Sequence, residues 1–303
     1  MKYTTRRAVG LALTGLTALA AFIIVAMLAL ILLDVARNGA RHVSWAFLTR
    51  PPSDGMMGGG IFPAIFGTAA LTLLMTLAVM PVGVLTAVYL HEYAPPGSRF
   101  ARWVRVAVIN LAGVPSIVFG LFGLGFFILF VGGGLDRMLG YEEMHWAQPS
   151  ILWAALTLAV LTLPVVIVST EEALRAVPLD QRTASLALGA TQSQTLVRVV
   201  LPGALPGILT GAVLAISRGA GEVAPILFTG AAYFLPDLPT QLDSQFMHLG
   251  YHTYVMATQS PNVTEASGPL YATVLVLLAL TFALNLVAVI IRTRTRRKAA
   301  SAH

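Results

Sequence analysis

The chain has 303 residues, of which 57% are apolar and only 11% are charged, and its mean hydropathy is +0.80. A soluble domain carries about 25% charged residues, so this composition excludes a fully water-exposed globule. The sequence contains no cysteine, which excludes disulfides, thiolate metal sites and cysteine nucleophiles. The formal net charge of +6 is interpreted as a mark of membrane orientation rather than of a nucleic-acid partner.

Six long segments without Asp, Glu, Lys or Arg follow one another along the chain. They cover residues 8–33, 56–90, 106–135, 147–170, 199–217 and 266–291. Each reaches or nearly reaches the roughly 20 residues that a helix needs to cross hydrocarbon. Strands of a membrane β-barrel alternate apolar and polar residues, whereas these segments are apolar on every face. We therefore predict an all-α, polytopic membrane protein with six transmembrane helices.

The first apolar segment follows Lys2, Arg6 and Arg7, as the apolar part of a secretory signal would. Such signal regions are only about 7 to 15 residues long, whereas this segment continues to Leu33. We interpret it as a retained transmembrane helix. Together with the outer loop that follows, it forms an N-terminal region over residues 1–60.

The distribution of cations indicates the orientation. With the N-terminus inside, six crossings place both termini and the second and fourth connections in the cytoplasm, and these parts hold 14 Lys and Arg residues. The outer loops hold only four, which are Arg37, Arg41, Arg50 and Arg137. Cytoplasmic loops of membrane proteins carry an excess of cations. We therefore predict a multi-pass protein of the cytoplasmic membrane, with cytoplasmic termini and a basic cytoplasmic tail over 292–303.

The sequence lacks the residues that an ATPase or a hydrolase needs. A Walker A loop places a lysine directly after a glycine, and the only lysines, Lys2 and Lys298, do not follow glycine. His248 and His252 have the spacing of one helical face, but no adjacent acid completes a metalloprotease pattern. We expect a solvated or lipid-interface face there rather than a zinc site. The sequence therefore predicts a chain that is not an enzyme and holds no cofactor or metal.

The fourth connection, loop 171–204, is far longer than a chain reversal requires. Asp180 is predicted to cap a short amphipathic helix, and Gly189 is predicted to end it, because glycine commonly follows a helix C-terminus. A second short segment leads to Leu201 and Pro202 at the membrane. Two interpretations of this helix-turn-helix stay open at this point: a docking surface for another protein, or a surface helix on lipid headgroups.

The spacing within loop 171–204 resembles that of the cytoplasmic coupling loop of ABC importer permeases. The family pattern is Glu-Ala-Ala, three residues, Gly, nine residues and Ile-x-Leu-Pro. The corresponding residues of this chain are Thr183, Ala184, Ser185, Gly189, Val199, Leu201 and Pro202. Because Thr183 replaces the family carboxylate, the resemblance implies that its contact with the ATPase is weaker here or is supplied by Glu171 or Glu172.

Four further motifs resemble those of one group of these permeases. They are Gly58-Gly59-Gly60-Ile61 followed by Ala64-Ile65-x-Gly67-Thr68, then Tyr89-Leu90-x-Glu92-Tyr93-Ala94, then Gly113-Val114-Pro115-Ser116-Ile117-Val118-x-Gly120, and Leu214-Ala215-Ile216-x-Arg218-x-x-Gly221-Glu222-x-Ala224-Pro225. Together they are similar to the permease subunit of phosphate importers, the PstA family, over residues 58–291.

This resemblance implies the type I ABC importer permease fold, with a permease core over 61–291, and the import of inorganic phosphate. It also implies partners: a homologous second permease, two ATP-binding subunits on the cytoplasmic face and an extracytoplasmic phosphate-binding protein, all within membrane lipid. Two alternatives stay open. One is the same architecture for another oxyanion, such as sulfate or molybdate, and the other is an ion-coupled secondary transporter, which loop 171–204 argues against.

Arg218 and Glu222 are charged residues in or next to the predicted fifth span. If this span enters the membrane near Pro206, Arg218 lies about 18 Å deeper, past the middle of a hydrocarbon layer about 30 Å thick. Glu222 follows one helical turn later, within reach of Arg218. Either the pair fixes helix packing, or Arg218 captures phosphate oxygens and Glu222 is its resting partner. Three polar residues are candidates for further hydrogen bonds in the pathway or for ordinary interhelical contacts: Asn110, Ser116 and Ser217.

Overall fold

The computed structural model describes residues 2–53, 58–260 and 263–301, which are built almost entirely of helices. Residues 54–57 of the predicted first outer loop and the last two residues of the predicted tail lie outside the described residues. The helices are α1 Lys2–Gly39, α2 Trp45–Thr49, α3 Phe62–Val88, α4 Arg99–Ala112, α5 Ser116–Phe122, α6 Gly133–Leu139, α7 Ile151–Arg175, α8 Leu179–Ala187, α9 Gln192–Thr195, α10 Leu201–Gly219, α11 Leu249–Thr258 and α12 Val263–Ser301. The π-helical segments Tyr89–Tyr93, Gly123–Gly132 and Leu196–Val200 continue α3, α5 and α9. Within the described ranges the only sheet is an antiparallel pair, β1 Pro52–Ser53 with β2 Gly58–Gly59.

Six helical stretches among the described residues are long and apolar enough to cross a membrane. They are Val9–Gly39, Phe62–Tyr93, Ser116–Leu139, Ile151–Arg175, Gln192–Gly219 and Ala266–Thr295. The prediction of an all-α chain with six transmembrane helices is confirmed. The last stretch belongs to a helix that continues to Ser301, so the predicted tail from residue 292 begins inside α12 rather than after it.

The third span begins later than the apolar segment 106–135 predicted. Helix α4 ends at Ala112, and the chain turns before α5 begins at Ser116. Pro115 occupies the N-cap position of α5, and because proline has no N–H it does not continue the hydrogen-bond ladder of α4. The start of the predicted span is therefore a separate helix that also carries the cations before it.

Helix α7 packs between α3 and α10 and is the most deeply buried of the six spans. Glycines allow this close approach: a Cβ on Gly83 of α3 would lie 2.5 Å from Val166 Cγ1. Likewise, a Cβ on Gly207 of α10 would lie 2.4 Å from Ala173 Cβ. Small residues at helix contacts are typical of membrane proteins, because burial from water does not drive helices together in lipid. These three helices form the core that positions the candidate residues.

The segment between α10 and α11 is not helical, but its backbone is bonded to the start of α7. The Ser150 N–H donates to the Thr229 carbonyl at 2.9 Å. The Ile151 N–H donates to the Ser244 carbonyl at 2.9 Å. Non-helical backbone at membrane depth needs such partners inside the protein, because lipid offers none. The residues that follow α10 are therefore held against the bundle.

The first helix contacts the rest of the chain mainly near its C-terminal end. The large apolar side chains between Val9 and Leu33 are exposed. Near the end of α1, a Cβ on Gly39 would lie 2.6 Å from the Tyr271 carbonyl oxygen of α12. Most of α1 therefore presents an apolar surface to whatever surrounds the chain.

Candidate functional site

Arg218 and Glu222 form an ion pair at the end of α10. Arg218 lies in the last turn of this helix, and its Nε is 3.4 Å from Glu222 Oε1. The contact expected from their spacing is therefore present. Its place in the span differs from the prediction, because α10 already begins at Leu201 and runs through Pro206. Arg218 lies about 26 Å along this helix, close to its end rather than near its middle.

The end of α10 turns Glu222 back toward Arg218. Gly219 packs against α3, where a Cβ would lie 2.3 Å from Met75 Sδ. The Gly221 N–H then donates to the Arg218 carbonyl, and the Glu222 N–H donates to the Gly219 carbonyl, each at 3.3 Å. The partial negative charge of a helix C-terminus also favours a cation in this last turn.

The guanidinium of Arg218 has donors available for an anion. The Arg218 side chain is 39% exposed, and that of Glu222 is 19% exposed. Of the three guanidinium nitrogens of Arg218, only Nε has a hydrogen-bond partner among the described residues, so the two terminal nitrogens are unbonded there. A planar guanidinium binds two oxygens of a phosphate-like anion at once. The geometry therefore leaves room for an oxyanion at Arg218 beside the ion pair with Glu222.

Ser217, the neighbour of Arg218, makes an interhelical contact instead of facing Glu222. Its hydroxyl donates to Asn285 Oδ1 of α12 at 2.6 Å. Of the two interpretations of Ser217, the ordinary contact between helices is the one that the structure contains. Asn285 is a partner that the sequence-based reasoning missed.

Asn110 and Ser116 do not join the Arg218 pair directly. Asn110 is exposed on α4, and Ser116 is half-buried at the start of α5, on the other side of the break. Among the described residues neither side chain hydrogen-bonds to Arg218 or Glu222. Helix α5 does approach the site one turn later, since a Cβ on Gly120 would lie 3.0 Å from the carbonyl oxygen of Pro225.

Loop 171–204 contains the predicted exposed helix. None of the nine residues of α8, all of them described, is buried, and Leu179 and Leu188 are 75% and 90% exposed. Gly189 ends the helix with a φ of +87°, as predicted. The prediction for Asp180 is wrong: Pro178 is the N-cap, and Asp180 lies in the first turn without a capping hydrogen bond. Asp180 is two positions too late in the chain to cap the helix, because the helix begins directly after Pro178.

The second half of the loop is a continuous helical path into the membrane. Helix α9 starts with a capping box formed by Thr191 and Gln194. Val199 lies in the π-helical segment, and Leu201 and Pro202 open α10. The two halves are joined by the hydroxyls of Ser185 and Thr195, whose oxygens are 2.9 Å apart.

Glu171 and Glu172, the possible replacements for the family carboxylate at the position of Thr183, differ in whether they are free to contact an ATPase. Ala184 and Thr183 are exposed on α8, and the Thr183 hydroxyl donates back to the Leu179 carbonyl at 3.1 Å. Glu171 is only 12% exposed, and its Oε1 lies 3.1 Å from Arg105 Nη2. Glu171 therefore already has a partner within the chain, whereas Glu172 is exposed.

His248 and His252 are buried, so the expected solvated or lipid-interface face is wrong. Their residues are 1% and 3% exposed, because the segment before α11 and α11 itself pack into the core. Burial lowers the pKa of His248 to about 3 and that of His252 to about 4. His248 Nδ1 accepts the Gly250 N–H at 3.1 Å and so caps α11. No group of three or more possible metal-ligand residues occurs in the described part of the chain.

Residues 79–297 match the family of binding-protein-dependent transport system inner membrane components. The chain belongs to this family. It is 37% identical over 216 residues to the probable ABC transporter permease protein YqgI of Bacillus subtilis (strain 168), covering 71% of this chain and 68% of that protein. It is 39% identical over 183 residues to the phosphate transport system permease protein PstA 1 of Mycobacterium tuberculosis (strain ATCC 25618 / H37Rv), covering 60% of this chain. The chain spans 54% of the length of that PstA 1.

Solved structures show that the fold is that of ABC importer permeases. A chain of the bacterial alginate ABC transporter, in complex with its alginate pentasaccharide-bound periplasmic protein, superposes with a TM-score of 0.60 at 16% identity, covering 92% of this chain and 94% of that one. A chain of the MetNI methionine ABC transporter superposes with a TM-score of 0.57 at 20% identity, covering 77% and 94%. The predicted permease fold is confirmed, and this inner membrane component is a multi-pass translocation subunit rather than an enzyme.

In this inner membrane component, sequence reasoning missed the residues that hold loop 171–204 in place. Arg182 on α8 pairs with Glu92 at the end of the second span, with Nη1 and Oε1 2.6 Å apart. Glu92 belongs to one of the motifs on which the resemblance rests, but its partner is 90 residues away. The only sequence signal was a carboxylate at the end of an apolar segment, which does not identify the cation that it meets.

Proposed function

We propose that this chain is the permease subunit of an ATP-driven importer that moves inorganic phosphate across the cytoplasmic membrane. The observation that carries the proposal is the partly exposed guanidinium of Arg218, whose two terminal nitrogens are unbonded within the described residues. The similarity of the chain to PstA 1 of Mycobacterium tuberculosis, whose name states phosphate transport, supports the choice of substrate.

In this proposal, phosphate and the carboxylate of Glu222 bind the Arg218 guanidinium in turn. In the resting pair Glu222 occupies only Nε, at 3.4 Å, so an arriving anion binds the free side of the guanidinium before Glu222 moves away. Bidentate bonding to two phosphate oxygens then outcompetes the single contact. When the anion leaves, Glu222 neutralises the arginine again, which keeps the site from holding phosphate too tightly for transit.

The orientation follows from the cations, with both termini and loop 171–204 in the cytoplasm. Helix α8 docks on an ATP-binding subunit through its exposed surface, and the exposed Leu179 and Leu188 at its two ends offer apolar contacts. A homologous second permease completes the pathway, two ATP-binding subunits drive it, and an extracytoplasmic phosphate-binding protein delivers the substrate. Membership of the family of inner membrane components in binding-protein-dependent transport systems, together with similarity to ABC transporter permeases, supports the ATP-binding subunits and the binding protein as partners.

Uptake of labelled phosphate into vesicles tests this function. Vesicles that hold the complete complex with ATP inside should accumulate phosphate, and vesicles with this chain alone should not. Sulfate and molybdate are offered as competitors, since a guanidinium also binds other tetrahedral oxyanions. Accumulation of sulfate or molybdate in preference to phosphate would replace the proposed substrate, and concentrative uptake by the chain alone would contradict the proposal as a whole.

A further inference from the structure

One largely enclosed residue, Glu92, is held by both helices of loop 171–204. Arg182 on α8 places Nη1 2.6 Å from Glu92 Oε1, while its Nη2 donates to the Leu174 carbonyl of α7 at 2.5 Å. From α9, Gln192 Nε2 donates to the Glu92 carbonyl at 3.0 Å. The loop is thus bonded to the ends of two transmembrane helices, α3 through its π-helical continuation and α7.

The Glu92–Arg182 contact differs from an ordinary surface ion pair. Exposed pairs contribute little because water screens them, but these side chains are only 12% and 17% exposed. The guanidinium also uses two nitrogens on two different helices, and its planar fork fixes direction as well as distance. Arg182 therefore sets the angle of α8 against both α3 and α7.

Helix α8 has few other attachments. None of its nine described residues is buried, so apolar packing does not hold it against the bundle. Besides Arg182, the side-chain link within the loop is the contact of Ser185 with Thr195, which joins α8 to α9 rather than to a span. The orientation of α8 therefore depends on polar contacts, of which the Arg182 fork is the most enclosed.

The middle of the same helix packs next to the anion site. Helix α3 and its π-helical continuation run from Phe62 to Tyr93. Met75 of α3 packs against Gly219, where a Cβ would meet its Sδ at 2.3 Å. Gly219 directly follows Arg218 in the last turn of α10. One continuous helical stretch, with Pro81 inside it, therefore connects the residue that holds α8 with the residue next to the proposed phosphate contact.

We propose that Glu92 and Arg182 are a positioning pair, which transmits the movement of α8 during ATP hydrolysis to α3 and so to Arg218. This inference rests on the proposed function. Neither residue contacts the substrate; they act by fixing α8 relative to the spans. Losing the pair should therefore uncouple ATP hydrolysis from transport rather than abolish either activity by itself.

The test measures the number of phosphate ions taken up per ATP hydrolysed by the complete complex in vesicles. Arg182→Gln should lower this ratio by at least about fivefold, the low end of coupling between sites. Arg182→Lys keeps one charged contact but lacks the fork, so its ratio should fall in between. In the double variant Glu92→Gln with Arg182→Gln, the ratio should be no lower than in Arg182→Gln alone, because the two substitutions remove the same ion pair. Arg102→Gln, an exposed cation of α4, is the matched control.

A second measurement reports the position of α8 directly. The chain has no native cysteine, so Gln181→Cys on α8 and Leu85→Cys on α3 provide two unique sites for spin labels. The distance distribution between the labels should broaden on Arg182→Gln and stay unchanged on Arg102→Gln. If the Arg182→Gln complex does not assemble, Arg182→Lys, which keeps one charged contact but lacks the planar fork, should still broaden the distribution.

An unchanged ratio in Arg182→Gln, or a proportional fall of uptake and hydrolysis that leaves the ratio constant, overturns the positioning role. An unchanged label distribution in the variant that assembles overturns it as well. Should the unmodified complex take up no phosphate, the proposed function fails, while the label distances still decide whether the pair positions α8.

Discussion

Replacing Arg218 with glutamine separates the two interpretations of the Arg218–Glu222 pair. The substitution removes the charge but keeps a polar side chain of similar reach. If Arg218 binds phosphate, the protein should fold and its uptake should fall severely. If Arg218 only supports packing, the loss should appear as a lower amount of folded protein, and removing the charge of Glu222 as well should correct it.

The structure sets the size of both effects. The Arg218 side chain is 39% exposed, and in the proposed water-filled pathway an ion pair of this kind stabilises the protein by about 0.2–1 kcal/mol. Folding should therefore survive the substitution. A bidentate contact with phosphate loses two charge-assisted hydrogen bonds of at least about 1.5 kcal/mol each, or about 3 kcal/mol. At about 1.4 kcal/mol for each factor of ten, the initial rate of uptake should fall roughly 100-fold.

The assay is the initial rate of phosphate uptake into vesicles with the complete complex, normalised to the amount of permease in the membrane. Arg137→Gln, which removes an exposed cation on the same predicted side, is the matched control and should keep the unmodified rate. The double variant Arg218→Gln with Glu222→Gln should restore the protein level at most. Uptake near the unmodified rate in this double variant would refute the substrate role of Arg218.

Three further predictions concern other parts of the molecule. Gly189→Val forces a branched side chain to a φ of +87°, a strain of about 1–3 kcal/mol, and should reduce uptake while membrane insertion persists; normal co-purification with the ATPase together with normal uptake would contradict a docking role for α8. Gly207→Leu should lower the thermal midpoint of the purified complex, because its Cβ would lie 2.4 Å from an α7 side chain and overpacking costs about 1–3 kcal/mol; Gly134→Leu, where nothing lies within 4 Å, is the control, and equal midpoints would contradict the prediction. The pKa values of His248 and His252 lie at about 3 and 4 in the folded chain, below the ordinary 6.5, so between these values the unfolded chain binds more protons than the folded one. The contribution of the two neutral histidines to the free energy of unfolding is therefore fully present above pH 6.5, and it falls with decreasing pH by up to about 1.4 kcal/mol per pH unit for each histidine. Thermal midpoints measured from pH 7 to 5 should show this decrease. Replacing both residues with glutamine should remove it.

Several features of the fold were predictable because they depend on local composition. A helix in hydrocarbon must be apolar along its own length, so the six spans could be identified without knowing their neighbours. The same holds for the end of α8 at Gly189, where the backbone conformation of one residue decides the outcome. The contact between Arg218 and Glu222 was predictable as well from their spacing of four residues, although the turn after Gly219, rather than a continued helix, brings Glu222 back to Arg218.

Predictions from local features were wrong where neighbouring residues or elements decided the structure. Asp180 has the side chain of a helix cap, but the helix begins directly after Pro178. His248 and His252 carry polar rings that favour a wet surface, yet the packing of α11 buries them. Their burial depends on which elements lie around them, and the spacing of two histidines contains no information about that.

The polar contacts between helices were decided by the tertiary structure alone. Ser217 meets Asn285 across 68 residues, and Arg182 meets Glu92 across 90. Apolar segments of similar length and composition pack against one another in many arrangements, and small residues such as Gly83 and Gly207 determine how closely they approach. The sequence by itself therefore determined the number of spans and the charges available. The packing of α3, α7 and α10 decided which of those charges meet, because the partners of a buried charge are set by neighbours in space rather than along the chain.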